Sequence, residues 1–300
     1  MATVDKQTKT LTVEGVDEVI EWVDYEDRSF YTHLFKATTQ PPVATLTLVH
    51  GLCEHIDRYE DVARSFARGG IQVLGFDQRG FGKTGRQCGL LGDNEGLETV
   101  ASDIASMNNR VTIEGVPHFL FGHSMGGLNV LNFCLQKNDN IKGVIASAPA
   151  LLPGKPLMPP RILELALHQV ARVFPSIQKS TGIDNDMMTS NQAELQKFNA
   201  SIENLSHCTL KTLASIIKGG PNVIKSAGDF NTPVFLIHAD GDRATDPDGT
   251  RQFFEGLPES LDKEYKEVSN AYHELHFEED LDFDLMDTYK QWILSRVNTK

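Results

Sequence analysis

Phe119-Leu120-Phe121-Gly122-His123-Ser124-Met125-Gly126-Gly127 decides the fold: an apolar run enters a Gly-x-Ser-x-Gly turn and leaves it into helix-compatible sequence. A turn this sharp between a strand and a helix forces its serine into a strained conformation and leaves the hydroxyl at the tip. Gly122 and Gly126 are small enough for the two arms to pass close together. The five-residue pattern alone also describes an ordinary glycine-rich turn. The flanking strand and helix make Ser124 a candidate nucleophile.

A serine becomes a nucleophile only with a base, an acid that orients the base, and donors for the developing oxyanion. Thr232-Pro233-Val234-Phe235-Leu236-Ile237-His238 reads as a buried strand, and the acidic loop Ala239-Asp240-Gly241-Asp242-Arg243-Ala244-Thr245-Asp246 follows it. Asp240, Asp242, Asp246 and Asp248 are all candidates for the acid, although loop aspartates also cap helices and form turns. Further on, Ala271-Tyr272-His273-Glu274-Leu275-His276 lies between the strand-like Lys263–Val268 and a final helix expected over Leu281–Val297. On placement alone either His273 or His276 serves as base. The order serine, acid, histidine is that of the α/β-hydrolase arrangement.

The oxyanion hole needs two backbone N–H groups, and losing one such donor typically costs roughly 3 kcal/mol of transition-state stabilisation. The amide of Met125, next to the nucleophile, supplies one. The strand Val43–Val49 ends at His50-Gly51-Leu52-Cys53-Glu54-His55, where Gly51 frees the backbone to turn and the amide of Leu52 supplies the other.

From about residue 20 onward the chain resembles a monoacylglycerol lipase, in the serine-hydrolase branch of the α/β-hydrolase superfamily. The matching segments are His50-Gly51-Leu52-Cys53-Glu54-His55 with Arg58-Tyr59, Phe76-Asp77-Gln78-Arg79-Gly80-Phe81-Gly82, Gly122-His123-Ser124-Met125-Gly126-Gly127, Asp240-Gly241-Asp242-Arg243, and Asp262-Lys263-Glu264 leading to Tyr272-His273-Glu274-Leu275-His276. The resemblance implies Asp242 as acid, His273 as base, and Leu52 and Met125 as oxyanion donors. It also implies that Glu54, Arg58 and His276 meet the glycerol end of the substrate, with a structural Glu54–Arg58 ion pair as the other reading.

The implied reaction is hydrolysis of a long-chain monoacylglycerol or related lipid ester to fatty acid and alcohol through an acyl-enzyme. The chain departs from the family at Phe81 and Thr84, and more consequentially at Phe198, where the family carries a tyrosine. A site that hydrogen-bonds a substrate hydroxyl discriminates strongly, so Phe198 predicts relaxed selection for glycerol. A broader carboxylesterase or lysophospholipase, an acyltransferase resolving the acyl-enzyme with an alcohol, and a catalytically silent binding protein on the same fold are the alternatives.

With 300 residues and 40% hydrophobic content, the chain has room for one large α/β domain. Strand-like segments near Leu11–Val13, Val19–Val23, Phe30–Phe35, Val43–Val49, Ile71–Phe76, His118–Phe121, Lys142–Ser147, Pro233–His238 and Lys263–Val268 alternate with helical ones in the later part. This predicts a mostly parallel sheet covered on both faces. Between Ala150 and Asp229 no strand is expected. Pro149, Pro153, Pro156, Pro159 and Pro160 open that stretch, Gly219-Gly220-Pro221 lies near its close, and Arg161–Phe174 reads as a helix apolar over much of its circumference. The expected organisation is a core over 1–149 and 230–300 with a helical cap inserted over 150–229.

A net charge of −13 argues against nucleic acid and against electrostatic attachment to anionic membranes. Any peripheral contact with a membrane or lipid droplet would be apolar and made through the cap. The polar stretch Met1–Thr10 is unlike a signal peptide, and with no bilayer-length apolar run the expectation is a cytoplasmic protein. Cys53, Cys88, Cys134 and Cys208 show neither metal-ligand spacing nor disulfide density, no phosphate loop or zinc pattern occurs, and no cofactor or metal is expected.

Overall fold

The computed structural model describes residues 7–136, 140–158 and 161–297, with backbone alone at 161–166 and 185; Pro159 and Pro160 lie outside them, as do the first six residues. Alternating polar and apolar residues near the N-terminus form an antiparallel meander, β1 (Lys9–Val13), β2 (Val16–Tyr25) and β3 (Arg28–Phe35). The apolar runs that follow become β4 (Ala44–Val49) and β5 (Ile71–Phe76), which pair in parallel with α1 (Glu60–Arg68) between them in sequence. Helices α2 (Gly82–Cys88) and α3 (Leu97–Val111) precede β6 (His118–His123), which leads through Ser124 into α4 (Met125–Gln136) and on to β7 (Ile141–Ser147).

The chain then leaves the sheet through α5 (Arg161–Val173), β8 (Gln178–Ser180), α6 (Gln192–Ala200), β9 (His207–Thr209) and α7 (Leu210–Lys225). It returns as β10 (Val234–Ala239), α8 (Pro247–Gly256), β11 (Lys263–Val268) and α9 (Leu285–Leu294). The nine strands of the main sheet run β1-β2-β3-β5-β4-β6-β7-β10-β11, antiparallel at the β1 edge and parallel from β5 to β11. This is the α/β-hydrolase fold.

Every residue of β4 and β6 is buried, as expected for parallel strands covered on both faces. Phe119 and Phe121 join one core layer with Phe66 of α1 and Tyr289 and Trp292 of α9. Leu120, between them, points into the opposite layer with Ile104 of α3, Leu131 of α4 and Phe253 of α8. Each such side chain contributes about 1.5–3 kcal/mol of burial free energy, and because both layers are apolar the alternation in β6 is held by fit, two phenylalanines filling one layer and a leucine the other. The connection leaving β4 goes to β5 on one side and that leaving β6 goes to β7 on the other. The carboxyl ends of these neighbouring strands therefore open the crevice in which open α/β sheets bind ligands.

The excursion differs from expectation in two ways. It contains strands: β8 and β9 pair antiparallel as a separate two-stranded sheet. Polar triplets such as Gln178-Lys179-Ser180 carry no periodic signal, and their pairing joins segments far apart in the chain. Gly219-Gly220-Pro221 does not end a helix either, because α7 runs through it to Lys225. Packing of α7 on α4 and α8, with Val223 in the core, overrides the local propensity. The final helix is shorter than expected, starting where Asp284 accepts the Asp287 N–H at 2.8 Å.

Candidate active site

Ser124 has φ +54°, a backbone conformation costly for a residue with a Cβ. Neighbours pin it on both sides: its N–H donates to Ser147 O at 2.9 Å, and its carbonyl accepts from Leu128 at 3.0 Å and Ala150 at 2.9 Å. A Cβ on Gly126 would overlap the carbonyl oxygens of Val49 and His50, so only glycine allows the elbow this close to β4. Met125 is the first residue of α4, and its N–H has no acceptor within the helix. The helix N-terminus adds partial positive charge beside the serine.

The β4 loop approaches Ser124 from the other side. A Cβ on Gly51 would lie 3.1 Å from Ser124 Cβ and 2.5 Å from Glu54 Oε1. Glu54 holds the turn by accepting the Gly51 N–H and, at 2.7 Å, the Tyr59 hydroxyl. Behind it, buried His50 donates from Nδ1 to Gly51 O at 2.8 Å and accepts the Gln78 N–H at Nε2 at 3.0 Å. Burial keeps this imidazole neutral by lowering its pKa, which the accepting nitrogen requires.

Asp242 Oδ2 accepts from His273 Nδ1 at 2.6 Å, Thr245 Oγ1 at 2.8 Å and His238 Nε2 at 3.0 Å. Its Oδ1 accepts the N–H groups of Ala244 at 2.8 Å and Thr245 at 2.9 Å. Burial pushes this carboxyl up, but the His273 charge and the hydrogen bonds from His238 and His273 outweigh it and hold it well below the usual carboxylate range. Conversely, burial pushes His273 down while the charge and hydrogen bond of Asp242 lift it above its ordinary value. The other three aspartates are occupied: Asp240 accepts the Asn270 N–H, Asp246 caps α8, and Asp248 pairs with Arg251.

With Nδ1 on Asp242, His273 Nε2 is the ring nitrogen left to exchange a proton. No hydrogen bond reaches the Ser124 hydroxyl among the described residues, and such bonds commonly tighten only with substrate bound. His123 packs on His273 with ring centroids 4.7 Å apart and on His276 at 4.9 Å. Burial holds both His123 and His276 well below the ordinary histidine value, so they stay neutral.

Two clefts meet at Leu52. One, of about 700 Å³ and partly open to solvent, exposes Ser124 and Met125 and is walled by Leu151, Leu152, Leu157, Leu213, Ile216 and Ile217. The other, of about 820 Å³, carries Phe198, Asn199, Ser201, Asn204 and Ser206. Of the residues expected at the alcohol end, Phe198 lines the second cleft. Glu54, Arg58 and His276 line neither. Glu54 and Arg58 are buried beneath the loop as an ion pair extended to Glu274, and His276 stacks on Tyr59 with its ring nitrogens sealed. The Phe198 ring lies against the Arg58 guanidinium, 4.8 Å from its centroid.

The sequence reading missed His238, Thr245 and Glu274. A histidine closing the otherwise apolar β10 was the available signal for His238; the other two adjoin residues already singled out and are distinguished only by packing.

An elbow serine at the head of a helix, a hydrogen-bonded Asp–His pair and a mostly parallel sheet define a serine hydrolase of the α/β-hydrolase superfamily. More narrowly, the chain belongs to the Hydrolase_4 family, described as serine aminopeptidase S33, whose profile matches residues 40–280. It is 28% identical over 278 residues to a putative monoglyceride lipase of Schizosaccharomyces pombe, covering 91% of this chain and 70% of that protein. An uncharacterized abhydrolase domain-containing protein of Dictyostelium discoideum is 33% identical over 239 residues, which are 79% of this chain and 25% of that protein, so the chain spans a quarter of its length. The crystal structure of Paleococcus ferrophilus monoacylglycerol lipase matches with TM-score 0.80 and 28% identity, covering 89% of this chain and 99% of that one.

Proposed function

We propose that this chain is a carboxylic ester hydrolase that cleaves monoacylglycerols to free fatty acid and glycerol. Its nucleophile is Ser124, its base His273, its orienting acid Asp242, and its oxyanion donors the amides of Leu52 and Met125. The observation that carries this reading is the apolar cleft opening directly onto Ser124, which suits an acyl chain. Among the described residues lining the two clefts none is acidic, which speaks against recognition of a peptide's α-amino group.

In this reading His273 takes the proton of Ser124 as its oxygen attacks the ester carbonyl, and the two amides receive the negative charge. The alcohol leaves with the proton from His273. Water, activated by the same nitrogen, then releases the fatty acid. The head group faces the second cleft, which Asn199, Ser201 and Asn204 line with neutral polar side chains, a surface suited to a polyol.

The segment 150–229 acts as the cap over the clefts. Exposed Val170, Val173, Phe174 and Ile177 provide an apolar surface for a membrane or lipid droplet. Among the described residues no helix is long and apolar enough to cross a membrane. A broader lipid esterase is the second reading, favoured by Phe198, which brings no hydroxyl to the head-group cleft.

Fatty-acid release from matched monoacylglycerol, diacylglycerol, lysophosphatidylcholine and p-nitrophenyl ester, with Ser124→Ala as blank, tests the proposal. Preference for monoacylglycerol supports it, comparable rates on lysophospholipid favour the broader esterase, and near-parent turnover by Ser124→Ala sinks both.

A further inference from the structure

Next to the proposed site lies a buried charge triad that the mechanism leaves unused. Arg58 donates from Nη1 to Glu274 Oε1 at 2.5 Å and from Nη2 to Glu274 Oε2 at 3.0 Å, while Nη1 also reaches Glu54 Oε2. The side chains of Arg58, Glu54 and Glu274 are 8%, 3% and 1% exposed. Phe198 from α6 and Phe277 each hold a ring against the guanidinium, with centroids 4.8 Å away. The two ends of the triad matter most: Glu274 directly follows His273, and Glu54 binds the N–H of Gly51, which directly precedes Leu52.

We infer that Glu274, Arg58 and Glu54 form a strut that holds the His273 loop and the oxyanion loop in one fixed geometry, so that Arg58 and Glu274 are positioning residues rather than contacts for the leaving alcohol. This rests on the roles given above to His273 and Leu52. Taking three charges out of water is costly, and only a fully bonded arrangement repays it. The planar fork of arginine bridges two carboxylates and stacks between two rings at once, which the point charge of lysine does not do. Backbone bonds brace the strut from outside: the Glu274 N–H donates to Met188 O at 2.7 Å, and the Leu205 N–H to Cys53 O at 2.8 Å. The segment around α6 thereby ties down both loops.

The triad also has an electrostatic side. Titratable and charged groups around His273 are Asp242 from the β10 loop, His238 of β10 on the same Asp242 oxygen, His123 from β6, Glu54 and Arg58 from the β4 loop, and Glu274 and His276 on its own loop. One guanidinium between two carboxylates leaves an excess of negative charge that favours the imidazolium formed in the reaction.

The test compares Arg58→Met and Glu274→Gln with parent for kcat and KM on a long-chain monoacylglycerol and on p-nitrophenyl butyrate, which has no glycerol. The strut predicts kcat lowered about tenfold to a hundredfold on both esters, with KM within about twofold. Glu274→Gln should also move the acid limb of kcat/KM to lower pH, because removing negative charge makes His273 easier to deprotonate. A loss confined to KM for the monoacylglycerol, or unchanged kcat on both esters, would overturn the strut. If thermal melting shows Arg58→Met to be unfolded, Glu274→Gln, which keeps the side-chain size, decides by the same criteria. Turnover by Ser124→Ala in this assay would overturn the functional reading and the strut with it, a result distinct from either strut outcome.

Discussion

His238 Nε2 lies 3.0 Å from Asp242 Oδ2, the same oxygen that accepts the Nδ1–H of His273. The carboxylate only accepts, so His238 donates from Nε2, and the Thr250 hydroxyl, 2.7 Å from the other ring nitrogen, donates to it. His238→Leu removes a donor from the carboxylate and an acceptor from Thr250. The expected result is a kcat about tenfold lower and a loss of about 1–3 kcal/mol of stability, read from steady-state kinetics and chemical denaturation. An unchanged kcat would leave His238 with a structural role alone.

Asp242→Asn should cost far more, for a reason specific to this loop. The Ala244 and Thr245 N–H groups both point at Oδ1, so the amide oxygen of an asparagine must stay there and its NH₂ must face His273. That NH₂ donates to Nδ1 and moves the imidazole proton to Nε2, the wrong tautomer for a base. A fall in kcat of about 10⁴ is expected with the fold retained, checked by single-turnover kinetics and circular dichroism. A loss below tenfold would place the orienting acid elsewhere.

The pH profile follows from opposite shifts in the pair. As the proposed base His273 acts only when neutral, and its pKa is raised above the ordinary 6.5. The ratio kcat/KM should therefore fall as pH drops through a value above 6.5 and stay level on the alkaline side. Asp242 is held well below the usual carboxylate range, so it stays ionised across that window and the limb should have unit slope. A midpoint below the ordinary histidine value would contradict the ionised Asp242 contact.

Gly51→Ala tests the approach of the two loops. The new Cβ would stand 2.5 Å from Glu54 Oε1 and 3.1 Å from Ser124 Cβ, so the turn must shift away from Ser124. Displacing the Leu52 amide should lower kcat about a hundredfold, and the melting temperature should fall as well because the buried Glu54 carboxylate is pushed from its partners. Parent-like kcat would remove Leu52 from the oxyanion hole.

The elbow was legible because strand, turn and helix signals are contiguous there: Phe119 and Phe121 alternate with Leu120, glycines flank Ser124, and each feature constrains the next. Strands β4, β5, β6, β7, β10 and β11 were visible for the same local reason. Choosing Asp242 among four aspartates was not possible on chemistry, since turn-forming, capping and ion-pairing aspartates share one composition; only the resemblance singled it out. Glu274 and Arg58 are 216 positions apart, and nothing in the local pattern at either end announces their pairing. Helix α7 passes through Gly219-Gly220-Pro221 because neighbours reward the packing, which a local reading of breakers misses.

The apolar cleft makes acyl-chain length the most direct readout of the proposed substrate orientation. Leu213 and Ile217 of α7 line it beside Ser124, and Leu213 is half-buried, so a larger side chain there fills the cleft before it disturbs the core. Leu213→Trp should leave p-nitrophenyl acetate turnover within about twofold of parent while lowering kcat/KM for a long-chain monoacylglycerol at least about tenfold. The stability cost should stay within about 1–3 kcal/mol, the usual range for overpacking. If both esters slow equally, the substitution has disturbed the site itself. If the long-chain ester is spared, the acyl chain runs through the Phe198 cleft and the orientation proposed for the substrate is reversed.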